Sequence, residues 1–153
     1  MDHSHIVTRF DKDLSEIESL LVEMADLVAK QISDSALALQ LGDNQLAKAV
    51  TKNDSKINRL EEKIDDKAIR LIALRQPMAE DLRSAITTLK VSNCLERMGD
   101  YAKTLSYRAR KVDDFSAMKS ILRSITETSE KILALALSVN RLLINSEKTD
   151  SVS

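Results

Sequence analysis

Apolar residues recur at alternating intervals of four and three along most of the chain, and this spacing limits the available folds more than any other feature. Phe10, Leu14, Ile17, Leu21, Met24 and Val28 mark the first run. Residues spaced this way stack on one face of an α-helix, whereas a strand would divide them between the two faces of a sheet. Leu20 and Leu27 broaden the stripe, as burial within a bundle requires. The spacing predicts a first helix over about Ser4 to Leu41, with Gly42 supplying a left-handed stop. Asp43 then stands as the N-cap of a second helix. Its stripe is Leu46, Val50, Ile57, Leu60, Ile64, Leu71 and Leu74, with gaps at Asn53 and Lys67. It is expected to end near Arg75, because Pro77 disfavours helix at the residue before it.

Pro77 is placed for the first turn of a third helix. Leu82, Ile86 and Leu89 open that stripe, and Leu95, Met98, Ala102, Leu105, Ala109 and Val112 carry it to a break at Asp113–Asp114. A fourth helix, from about Phe115 to Asn145, carries Ile121, Ile125, Ile132, Leu135, Val139 and Leu142, and a polar, frayed end follows over Ser146 to Ser153. Two glycines and one proline in 153 residues leave little material for the turns of a strand-rich fold. The expectation is an all-α antiparallel bundle: a three-helix bundle over residues 1–114, a fourth helix over 115–146 and a tail over 147–153. Aromatics make up 3% of the chain, so Leu, Ile, Val, Ala and Met must fill the core. Met24, Met78, Met98 and Met118 read as core filler, and Cys94 as a small core residue. A faint repeat relates Ile32–Leu39, ISDSALAL, to Ile132–Val139, ILALALSV, as if the fourth helix began a second copy of the first.

Several function classes find no support. With 23 basic and 24 acidic residues the net charge is −1, without the basic excess of a nucleic-acid binder. A lone cysteine allows no internal disulfide and fits a reducing compartment. No run approaches 18 apolar residues, and Met1 to Phe10 lack an apolar signal core, so a cytoplasmic protein is expected. The sequence has neither a glycine-rich phosphate loop nor a GxSxG elbow. His3 and His5 are the only histidines and read as terminal residues, leaving none in the helical body to activate Cys94 or a serine. Arg108, Arg110 and Lys111 read as a solvated helix end that complements the helix dipole.

Chemistry concentrates in two carboxylate stripes. Asp54, Asn58, Glu61 and Asp65 share one face of the second helix; Glu96 and Asp100 share one face of the third, on a line with Leu89 and Asn93 that places them beside the core. Like charges four residues apart repel, and a hard cation relieves that repulsion; carboxylate oxygens suit Mg, Ca, Mn or iron. The other reading is an ordinary charged surface, with Arg59, Lys63, Arg97 and Lys103 as ion-pair partners. Gly99 lies between Glu96 and Asp100 and admits a close approach, either by a neighbouring helix or by a ligand or metal.

At these residues the chain resembles the PhoU family, regulators of phosphate uptake and phosphate signalling in bacteria. The likeness is carried by RQPMAEDLR (Arg75–Arg83), LKVSNCLERMGDYA (Leu89–Ala102), NDSKINRLEEKI (Asn53–Ile64) and the opening HIVTRFDKDL (His5–Leu14). It implies a fold of tandem three-helix bundles and a cytoplasmic, non-catalytic regulator. That regulator would restrain phosphate uptake and the starvation response by contact with a phosphate ABC transporter, through its ATPase, and with a sensor histidine kinase. It implies metal sites, of iron or of Mn, Zn or Mg, at the acidic motifs, here Glu96 and Asp100 with Asp54, Asn58 and Glu61. Two departures stand out. Asn58 replaces a customary Asp, and an amide brings no charge to a cation. The chain also ends after one bundle and one further helix, as a fragment or as a short member that completes its fourth helix by pairing into a homodimer or larger homo-oligomer. A metal-dependent hydrolase using Glu96 and Asp100, and a purely structural helical module, are the alternative readings.

Overall fold

Two short corners set the path of the chain. At the first, Gly42 adopts φ 64°, and the Asp43 amide turns back to the Ala38 carbonyl at 2.9 Å. The Asp43 carboxylate then caps the next helix, accepting from the Gln45 and Leu46 amides at 2.9 and 3.0 Å. At the second corner Gln76, not a glycine, takes a left-handed conformation (φ 46°, ψ 55°) and donates its amide to the Ile72 carbonyl at 3.1 Å. Pro77 disfavours the right-handed helical region at Gln76, and the chain leaves the helix there.

The computed structural model describes residues 3–77, 79–109 and 118–150. Its helices are α1 (His3–Leu41), α2 (Asn44–Arg75), α3 (Ala79–Ala109) and α4 (Lys119–Asp150), and among the described residues there is no strand. The short corners make α1, α2 and α3 antiparallel neighbours, and each packs on the other two. α4 lies against α1 and α3. The core runs from Phe10 through Leu14, Ile17, Leu21, Met24 and Val28 on α1 to Ile57, Leu60, Ile64 and Leu71 on α2, with Leu95 and Ala102 from α3 and Leu133 from α4. A smaller cluster joins Leu39, Leu105 and Leu122.

The first stripe lies in the core as expected, and α2 ends at Arg75 as Pro77 implies. Several positions differ. Leu74, expected on the stripe, is 74% exposed, since the inner line of α2 closes on Leu71. In α3 the inner line is Ser84, Ala85, Thr88, Ser92, Leu95, Gly99, Ala102 and Ser106, made mostly of small side chains, while Ile86 faces outward. Cys94 is exposed rather than core, because it falls one residue, about 100° of helix, away from Leu95. On α4 the inward line is Leu122, Thr126, Ser129, Leu133 and Leu137; Ile121, Ile125 and Leu135, expected inside, point to solvent. Met24 and Met98 pack in the core, whereas Met118 is exposed.

Helix α4 continues to Asp150, past the end expected at Asn145; Glu147 and Lys148 are good helix formers, and no Gly or Pro intervenes. Pro77 stands ahead of α3, which begins at Ala79. The side chains of His3, His5, Ile132, Val139 and Leu142, together with Met78, Arg110, Lys111, Val112, the Asp113–Asp114 break and Phe115, lie outside the described residues.

Candidate functional site

The acidic residues of α3 flank its inner line: Glu96 is half-buried, whereas Asp100, expected beside the core, is exposed. Gly99 is buried, and a Cβ on it would meet the Ile57 side chain at 3.1 Å and Gln31 at 3.7 Å. The missing side chain thus lets α3 approach α2 closely and leaves the Gly99 carbonyl within reach of α1. Gln31, 4% exposed, uses that reach: its Nε2 donates to the Gly99 carbonyl at 3.1 Å and to Asp54 Oδ1 at 3.0 Å. Asp54, 3% exposed, is therefore joined to α1, and its other oxygen accepts from Lys103 Nζ at 2.6 Å. Lys103 also lies 3.5 Å from Asp100 Oδ1. The hydrogen bond to Asp54 is the main cause that raises the ammonium's pKa. A buried carboxylate needs such partners, since an unpaired one is strongly disfavoured in the interior.

The remaining carboxylates crowd the groove between α2 and α3. Burial pushes the Glu96 pKa up; the nearby charges of Asp100, Glu61 and Asp54 add to the rise, as does a hydrogen bond with Asp100. Burial likewise raises Glu61, with repulsion from Asp65, Glu62 and Asp100 adding to it and a hydrogen bond from Asn93 opposing it. Asp65 is raised by burial and by Asp66. Asn58 Oδ1 is buried and has no hydrogen-bond partner among the described residues.

The five residues expected to hold a metal thus divide. Glu61, Glu96 and Asp100 feel one another across the groove, whereas Asp54 is committed to Gln31 and Lys103. A metal held by all five would have to compete with the ammonium that already lies against one Asp54 oxygen. Among the described residues no three His, Cys, Asp or Glu side chains are grouped as a metal site. Lys103 was one of four cations expected to pair with the stripes. Of the others, Arg59 bonds back to Ser55 on its own helix and Arg97 donates to Tyr101. Gln31 escaped the sequence reading. Its signal is positional: it lies three residues beyond Val28, so a polar side chain continues the core stripe. Two larger cavities, of ≈430 and ≈410 Å³, run along α4 and are lined by neither Glu96 nor Asp100.

The PhoU domain model matches residues 21–109. A phosphate-specific transport system accessory protein PhoU homolog of Caulobacter vibrioides is 39% identical over 121 residues, which are 79% of this chain and 53% of that protein. One from Pseudomonas putida is 42% identical over 105 residues, 69% of this chain and 41% of its own length. The crystal structure of PhoU from Pseudomonas aeruginosa superposes with a TM-score of 0.77 at 34% identity, covering 82% of this chain and 61% of that one. The chain spans about half the length of the relatives it matches.

Proposed function

The chain belongs to the PhoU family, and from that premise we propose that it is an accessory regulator of a phosphate-specific transport system, acting in the cytoplasm by protein contact and not by catalysis. The observation that carries this reading is the match at about 40% identity, across the bundle, to proteins named accessory proteins of that system. The expected contacts are the ATPase of a phosphate ABC transporter and a sensor histidine kinase, and the expected effect is restraint of uptake and of the starvation response. The surface is compatible with work by contact. Tyr101 and Tyr107 on α3, Leu37 and Leu41 on α1, and Ile121, Ile125 and Leu135 on α4 are exposed; solvent-facing apolar groups of this size are common at interfaces between proteins. Among the described residues, no helix is long and apolar enough to cross a membrane, so a role at a transporter calls for docking onto it.

The test is genetic and biochemical. Deleting the gene should raise phosphate uptake and derepress phosphate-starvation genes in phosphate-replete medium. The purified chain should be retained by the immobilised transporter ATPase. Unchanged uptake and gene expression in the deletion strain would remove the regulatory reading.

A further inference from the structure

We infer that Lys103 is the resident cation of the buried acidic level: its ammonium serves at Asp54 as a bound metal would, so that α1, α2 and α3 are tied together there without a metal ion. This inference stands on the geometry of the bundle and is independent of the phosphate reading.

Three observations converge on it. Both oxygens of the Asp54 carboxylate have partners, the Gln31 amide on one at 3.0 Å and the ammonium on the other at 2.6 Å. The Gln31 NH2 group has two donors, and both are used, on Asp54 and on the Gly99 carbonyl. The Gln31 amide is therefore closed on the α1 side, with no N–H left for another acceptor. Lys103 in addition spans carboxylates of two helices, Asp54 of α2 and, at 3.5 Å, Asp100 of α3, which is how a bridging cation acts.

The local charge agrees. A divalent ion is best held by several carboxylates. On the inner line of α2, positions 54 and 58 supply one carboxylate and one neutral amide, so that line offers a cation a single negative charge. A metal at Asp54 would have to displace that ammonium or bear its repulsion at contact distance. Glu61 and Glu96 lie outside this set, whereas Asp100 shares the Lys103 ammonium with Asp54. The Lys103 side chain is 39% exposed, so the ammonium keeps access to water for its remaining donors while its hydrogen-bonded face reaches the core.

The test uses the full chain, stripped with EDTA, and follows thermal unfolding with and without millimolar Mn2+, alongside metal content by mass spectrometry. The stripped native protein should melt at the same temperature as the untreated one. Lys103→Met leaves a buried carboxylate without its counter-charge and should lower the midpoint by about 4–8 °C. Adding Asp54→Asn to that variant removes the orphaned charge and should restore most of the loss, which also covers the case in which the single variant folds poorly. A Mn2+-induced rise in the native chain that survives Asp54→Asn would place the ion on Glu61, Glu96 and Asp100, in keeping with the inference. A rise that Asp54→Asn abolishes would overturn it, as would an unchanged midpoint in Lys103→Met.

Discussion

Glu96 shows at the level of one residue how the acidic face is balanced. Burial first, and then the charges of Asp100 one turn on, of Glu61 and of Asp54, make its carboxyl hold a proton more tightly than an ordinary glutamate. The sign of the consequence follows from linkage. Between the unfolded pKa, about 4.3, and the higher folded value, the folded protein binds more protons than the unfolded chain, so stability falls as pH rises through that window. Glu96→Gln removes the charge that causes the fall. The variant should be more stable than the native chain at neutral pH by roughly 0.2–0.5 kcal/mol, the scale of a like-charge pair one turn apart. Its advantage should shrink on acidification and vanish below about pH 4.3, which urea titrations at a series of pH values would reveal. The acidic stripe itself was legible from the spacing of Glu96 and Asp100. The network that divides it was not, because Gln31 is separated from Asp54 by 23 residues and from Gly99 by 68. Neither separation leaves a periodic mark on the sequence.

At the level of the element, helix ends were easier to read than helix faces. Gly42, Asp43 and Pro77 act on the backbone within a residue or two of themselves, so their effects depend little on the rest of the fold. Faces depend on what packs against them. The inward line of α3 is built largely from Ser, Thr, Ala and Gly, which carry no apolar signal, so the expected stripe held at Leu89, Leu95, Met98, Ala102 and Leu105 but took in Ile86, which faces outward. α4 has apolar residues on adjacent lines, with Ile121 beside Leu122, and only its neighbours decide that Leu122 turns inward. One corner carries a cost of its own. Gln76 holds a left-handed conformation that a side chain disfavours by roughly 1–2 kcal/mol. Gln76→Gly releases that strain at the expense of a more flexible unfolded chain. The net gain should be about 0.5–1 kcal/mol, seen as a higher urea midpoint with an unchanged slope.

On the scale of the whole molecule, α4 carries apolar groups both toward the bundle and away from it. Leu122, Leu133 and Leu137 join it to the α1–α3 bundle, while Ile121, Ile125 and Leu135 face away, and Ile121 and Ile125 border a groove of ≈430 Å³ with Ser120, Ser124 and Thr128. That outer face is apolar, rimmed by small hydroxyls and without acidic side chains along the groove, which allows a second copy to lie against it without burying like charge. The native chain should therefore associate as its concentration rises. Replacing Ile121 and Ile125 together by Ser should weaken association by roughly tenfold for each isoleucine, from the apolar area no longer covered. Light scattering over a dilution series would measure this, and a strictly monomeric native chain at high concentration would contradict it. The bundle class was readable from the sequence because every helix obeys the same spacing; the outward face of α4 was not, since it depends on which of two equivalent lines meets the bundle.

The seam of small residues along α3 has a consequence for how this protein can drift over generations. At Ser84, Ala85, Ser92, Gly99, Ala102 and Ser106 nearly every random codon change adds bulk, and almost none removes it. At Gly99 even one methyl would press on Ile57. Errors along this seam are therefore one-sided: they overfill and rarely leave a void. Repair is open mainly to the facing helices, where a shorter side chain at a position such as Ile57 can take up the excess. Substitutions on α3 should become fixed in company with shrinking partners on α1 and α2, while the outer surfaces change independently.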